Sequence, residues 1–193
     1  MKQNRILHPV VAVMTTTLAV AVTGCDSSGT TTSVPSRTAS LPASGSITSS
    51  ASLADTAERQ AIAAYLGMWS DMADAATTSD WQSPMLARNA TSEALQMISR
   101  SLYTDHYNGL VTKGRPVNHP AVARTSPADN PTVVTITDCG DSTNWLKYRA
   151  DNGAPADDGP GGHRRIEAIV KKAVDGSWKV STFAVHEVGS CAG

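Results

Sequence analysis

Aromatic residues are scarce in this sequence: they make up 5% of 193 residues, with a single phenylalanine. Three cysteines are too few for a disulfide-built miniature fold. No charge of one sign prevails, because 16 basic residues face 17 acidic ones for a net charge of −1. That balance argues against nucleic acid as a partner, which would call for a basic surplus or stripe. The longest apolar run, residues 10–22, is shorter than the ~20 residues a comfortable membrane span needs. Metal motifs are missing too. Neither Cys139 nor Cys191 has a CxxC neighbour, and His106, His119, His163 and His186 stand at no metal-ligand spacing. There is no G-x-S-x-G motif, no free Cys–His pair, and no phosphate-cradling glycine loop leading into a helix. No cofactor, metal ligand or catalytic residue is therefore assigned. What remains is a 40% apolar fraction, enough to build a core.

The first residues read as an address. Lys2 and Arg5 precede the apolar run with no acid between them, the plan of a secretory signal peptide. The run closes on Val22-Thr23-Gly24-Cys25, which resembles the site where bacterial prolipoproteins are lipidated and cut just before the Cys. Residues 1–24 are thus expected to be a lipoprotein signal peptide, and Cys25 to carry a diacylglyceryl group with palmitate-length chains. Two or three such chains anchor a protein stably, at about 0.8 kcal/mol per buried CH₂. The expected location is extracytoplasmic, on the outer face of the cell membrane. Losing Lys2 and Arg5 takes the net charge from −1 to −3.

Residues 25–54 follow as a Ser/Thr-rich stretch with no aromatic residue, too polar to bury a core. It is expected to be a disordered tether with an r.m.s. reach of about 30 Å. Residues 55–193 hold every aromatic residue and form the expected single domain. Asp55 and Glu58 fit a capping box, with Asp55 as N-cap. Ile62, Tyr65, Leu66, Trp69, Met72, Ala73 and Ala76 then recur at helical spacing. A short helix is predicted over 84–89. Thr91 or Ser92 caps a third, with Leu95, Ile98 and Leu102 on one face and Gly109 as its stop. Beyond it the pattern is that of strands, over 110–113, 117–125, 132–138, 144–149, 164–174 and 178–189.

Asp175-Gly176 is the best hairpin turn signal. A two-residue type I′ turn there makes facing residue numbers sum to 351. Ile166, Ala168 and Val170 then share a core face with Phe183 and Val185. Arg164 falls opposite Glu187 on that same face. Arg165, Glu167 and His186 gather on the other face as a polar cluster. Lys172 would oppose Lys179, which leaves room for a bulge. With Cys25 lipidated, Cys139 and Cys191 remain, both at strand ends in a compartment that permits disulfides, and are expected to be joined.

Helices followed by a strongly paired antiparallel sheet resemble the NTF2-like (cystatin-like) α+β roll, in which helices pack on a curved sheet and leave room for a conical pocket. More closely, the chain is similar to small actinobacterial-type lipoproteins. The stretches that carry this likeness are Met68-Trp69-Ser70-Asp71-Met72, Thr78-Ser79-Asp80-Trp81-Gln82-Ser83-Pro84, Gly109-Leu110-Val111-Thr112-Lys113-Gly114, Asp138-Cys139 and Trp178-Lys179-Val180. The resemblance implies a fold and an address and assigns no catalytic residue. Enzymes of the roll use a buried Asp, His or Tyr in the pocket. The groups of that kind here are Tyr65, Tyr103, Asp105, His106, Tyr107, Asp138, Glu167 and His186.

Three readings follow. The first is a non-catalytic binding or accessory module for a small apolar ligand, an envelope component or a protein partner, with Tyr65, Trp69, Tyr103 and Trp145 as candidate pocket lining. The second is an isomerase-, cyclase- or hydrolase-type enzyme using acid–base residues in an apolar pocket. The third is a dimerisation module, two copies pairing through the mixed sheet face.

Overall fold

The structure, a computed structural model, describes residues 52–156 and 159–192. The expected signal peptide, Cys25 and nearly all of the expected tether lie outside the described residues. Helix α1 runs Leu53–Ala76, followed by α2 Leu86–Asn89 and α3 Ser92–Tyr107. The strands are β1 Leu110–Lys113, β2 Ala121–Ser126, β3 Val133–Asp141, β4 Leu146–Arg149, β5 His163–Lys172 and β6 Trp178–Val185. The protein is an α+β roll, with its N-terminal helices packed on one face of an antiparallel sheet.

Helix α1 starts earlier than expected. Ser52, not Asp55, is the N-cap: its hydroxyl accepts from the Asp55 amide while the Asp55 carboxylate accepts from the Ser52 amide. Asp55 is thus the reciprocal member of the box, and the Ser52 amide, with the Ser52 hydroxyl beside it, holds its carboxyl below the usual range. The buried face is also rotated from the one drawn by the large residues. Ala57, Ala61, Ala64, Tyr65, Met68 and Trp69 are buried, whereas Leu66 is 40% exposed. A stripe of alanines lets the helix axis approach the sheet closely, and the larger side chains then fill its flanks.

The strands form a four-stranded sheet in the order β2-β3-β5-β6 and a separate β1-β4 ribbon. The inner face of β3 pairs residue for residue with that of β5: Val134 with Val170, Ile136 with Ala168, Asp138 with Ile166 and Gly140 with Arg164. Apolar residues therefore occupy one end of this ladder, and a glycine beside an arginine the other. Two bulges, between Val122 and Arg124 and between Ile169 and Val170, bend the outer pairs.

The β5–β6 hairpin corrects the expected turn. Ala173 and Ser177 close it, Gly176 donates to the Ala173 carbonyl, and Gly176 takes φ +84°. This three-residue loop sets a register in which facing numbers sum to 350, so that Lys171 rather than Lys172 faces Lys179. The bulge then restores the 351 register, and Ile166, Ala168 and Ile169 face Val185, Phe183 and Thr182. Ile166, Ala168, Val170 and Phe183 are buried as expected, but Val185 is 43% exposed because the strand ends there. For the same reason Glu187 lies past the ladder, and the Arg164 guanidinium donates instead to the His186 carbonyl at 3.2 Å.

Cys139 and Cys191 are joined by a disulfide, with a Cα separation of 5.9 Å. Disulfides of this kind belong to oxidising compartments. No helix among the described residues is long and apolar enough to cross a membrane.

Candidate functional site

A pocket of about 410 Å³ opens where the inner-face ladder ends in Gly140 and Arg164. Its apolar wall is built by Trp69, Met72 and Ala76 of α1, Ile98 and Leu102 of α3, and Ile166 and Phe183 of the sheet. The β1–β4 ribbon contributes Thr112, Leu146 and Lys147, and the loops add Pro116, Asn118 and Trp145. Gly140 lets Ile166 and Asn118 pack against the backbone of β3 at the edge of the pocket. A Cβ at Gly140 would lie 2.8 Å from Ile166 Cδ1 and 3.0 Å from Asn118 Nδ2.

Aromatic rings fix one wall. Trp69 meets Tyr65, Trp145 and Phe183 edge-on, at centroid distances of 6.3, 6.0 and 5.5 Å. Its indole is 6% exposed and interacts with the Tyr65 hydroxyl, while Trp145 Nε1 is buried with no hydrogen-bond partner among the described residues. A buried donor without an acceptor costs about 1–3 kcal/mol.

Behind this wall lies a polar hub. Asp138 Oδ2 accepts from the Tyr65 hydroxyl at 2.8 Å and from Asn118 Nδ2 at 2.7 Å, and Oδ1 accepts from the His119 amide at 2.8 Å. Tyr65 is fully buried. Burial, reinforced by the adjacent Asp138 charge, pushes its phenol well above the ordinary tyrosine range. The hub joins α1, β3 and the loop that carries Asn118 into the pocket wall.

The charged groups of the pocket differ in how they are met. Asp105, buried on α3, pairs with Lys147 at 3.0 Å. Asp141 Oδ1 accepts from the hydroxyl and the amide of Thr143, which hold its carboxyl below the usual range. Arg164 makes no ion pair among the described residues, and its one hydrogen bond is to the His186 carbonyl.

The expected site residues separate accordingly. Trp69 and Trp145 line the pocket. Tyr65 does not, because its hydroxyl is drawn back to Asp138. Tyr103 lies away from it, on the exposed side of α3, where it contacts Trp81 edge-on at 5.3 Å and stacks on Tyr107 at 6.5 Å. Arg165, Glu167 and His186 do come together: Arg165 Nε is 3.8 Å from Glu167 Oε1, and Arg165 Nη2 is 3.5 Å from His186 Nδ1. They sit on the outer sheet face, half-exposed, because odd positions of β5 alternate away from the pocket. Arg164 is the residue whose part in the site went unread. Its signal was its place on the core face of a strand otherwise carrying Ile166, Ala168 and Val170.

No family model and no curated protein matches the chain. Among solved structures it is similar to the intermembrane space region of the chloroplast protein ARC6, at 15% identity over 69% of this chain and 95% of that one, with a TM-score of 0.41. It is also similar to a ketosteroid isomerase-like protein from Erwinia carotovora atroseptica, at 10% identity over 66% and 93%, with a TM-score of 0.44. A third neighbour is ActVI-ORFA from Streptomyces coelicolor, at 17% identity over 65% and 94%, with a TM-score of 0.43.

Proposed function

We propose that this is a lipid-anchored, extracytoplasmic binding module that holds a small apolar ligand in the pocket between its helices and its sheet. The observation that carries the binding reading is the pocket itself: about 410 Å³, walled mostly by apolar side chains. That volume falls within the ~300–1,000 Å³ of ligand sites. The reading is non-catalytic because the buried carboxylates are committed elsewhere. Asp138 is held by three donors, and Asp105 is held by Lys147. A general base must keep an oxygen within reach of the substrate proton. The anchor rests on the Val22-Thr23-Gly24-Cys25 motif and on the disulfide, which fits an oxidising location.

Mass spectrometry of the full chain, expressed in a Gram-positive host, tests both parts. Under native conditions a bound small molecule is expected on the wild type. It should be lost from Ala76→Leu, which fills the pocket from α1. In denaturing spectra Cys25 is expected to carry a diacylglyceryl mass. A chain that carries no ligand and leaves Trp fluorescence unchanged on adding apolar probes rejects the binding reading. An unmodified Cys25 behind an intact signal peptide rejects the anchor.

A further inference from the structure

We propose that segment 186–192 is a strap along the rim of the pocket and that the Cys139–Cys191 bond is its clasp, so that a dithiol which reduces the bond frees the strap and speeds release of the ligand. This inference rests on the binding reading above and names how the same site lets its ligand go.

Three strand ends form the sheet-side rim. β3 brings Gly140 and Asp141, with Ser142 just beyond it, β5 brings Arg164, and β6 brings Val185. The β5–β6 ladder ends at this rim, with Ile166 opposite Val185. Past that point the chain leaving β6 holds the first residues of β5 by other means. The His186 amide donates to the Arg165 carbonyl at 2.9 Å, and the Gly189 amide donates to the His163 carbonyl at 2.7 Å. The Ser190 hydroxyl accepts from the Arg165 amide at 2.8 Å. The Arg164 guanidinium, itself part of the pocket lining, donates to the His186 carbonyl at 3.2 Å.

The same segment reaches the other two parts of the rim. Val188 lies against Gly162, where a Cβ would stand 2.8 Å from Val188 Cγ1. Gly162 is bonded through both its amide and its carbonyl to Ser142, and its neighbour Gly161 lines the pocket. Cys191 then closes onto Cys139 of β3, the residue before Gly140. One covalent bond thus fastens a segment that touches β5, continues β6 and ends on β3.

The strap can come loose without the core. None of residues 186–192 belongs to the buried core, Val188 is 41% exposed, and both cysteines are only half-buried. Segments with few buried apolar contacts open locally, without global unfolding. In the exchange, one thiolate of the dithiol attacks a sulfur of the bond and forms a mixed disulfide, and the other cysteine leaves as a thiolate that takes up the proton. The second thiol then closes a cyclic disulfide and passes its proton to the second cysteine. The dithiol gives up two electrons, and the two cysteines receive them as thiols.

N-phenyl-1-naphthylamine, a neutral apolar fluorophore, serves as the probe. It is loaded onto the full chain, and its release on dilution is timed by stopped-flow fluorescence before and after treatment with excess dithiothreitol. Release is expected to quicken by about tenfold or more on reduction. Cys139→Ala/Cys191→Ala should release at the reduced rate and no longer respond to dithiothreitol. Ser190→Ala, which keeps the bond but removes the acceptor of the Arg165 amide, should give a smaller acceleration. Wild type in urea, at a concentration matching the stability of the double variant, should keep the slow release, because lost global stability alone leaves the strap fastened. Equal acceleration in that urea would overturn this inference. Release unchanged by reduction, or a bond that resists excess dithiothreitol in the native chain, overturns it likewise and leaves the binding reading standing. A probe that does not bind the oxidised chain up to its solubility limit would reject both.

Discussion

The Asp138 carboxylate accepts three hydrogen bonds in the interior, one from the phenol of a fully buried tyrosine. The pairing shapes how stability depends on pH. In the folded chain burial and the Asp138 charge raise the Tyr65 phenol above its ordinary value of 10.0. In the unfolded chain that phenol is free to ionise near its ordinary value. Above pH ~10 the unfolded state therefore binds fewer protons than the folded one, and stability falls as pH rises, by up to about 1.4 kcal/mol per pH unit. Urea unfolding between pH 8 and pH 11 is expected to show this loss in the wild type and to show less of it in Tyr65→Phe. Below pH 9 the same substitution should cost about 1 kcal/mol, since Asp138 keeps its other two donors. An alkaline slope identical in the two proteins would reject the assignment.

Among the elements, α1 shows where large-residue periodicity misleads. The positions of Tyr65 and Trp69 were legible in the spacing, and both are buried. The alanines Ala57, Ala61 and Ala64 form the contact stripe, which a count of bulky residues passes over. Ala61→Leu should therefore cost about 1–3 kcal/mol by overpacking. Leu66→Ala should change stability by about 0.5 kcal/mol or less. Denaturant midpoints at constant m-value would show the order, and the reverse order would place the buried face elsewhere. The hairpin makes a related point. Apolar alternation chose the correct face of β5, but the loop length was set by an αL glycine one position later than a two-residue turn requires. A compensating bulge, which carries no apolar signature, returned the strands to register. Of the site, Trp69 and Trp145 were legible as candidates. The Asp138 hub and the Gly140–Arg164 pairing were not, because both arise from contacts between elements distant in sequence.

At the scale of the whole molecule, the Cys139–Cys191 bond ties the C-terminal segment to the middle strand of the sheet. Ser190 Oγ accepts from the Arg165 amide, and the Gly189 amide donates to the His163 carbonyl, so the segment also lies along the start of β5. Closing a loop with a sequence separation of 52 restricts the unfolded chain by about 4 kcal/mol on the loop-entropy account. The double variant Cys139→Ala/Cys191→Ala is expected to lose about 2–4 kcal/mol of unfolding free energy. It should also show faster amide exchange at 186–192 than in the core. Equal stability with and without the bond would mean that the hydrogen bonds alone hold the segment.

The sheet order leaves β6 and β2 as its two margins. The backbone at Ala90 pairs in parallel with Val180 and occupies part of the β6 margin. Along β2 no further strand pairs among the described residues, and exposed strand margins recruit other chains into continuous sheets. Here Pro120 and Pro127 bracket the strand, a bulge interrupts its pairing, and the exposed Arg124 lies beside it. A second chain approaching this margin would thus find no straight, uncharged template on which to add a strand and extend the sheet into a fibre.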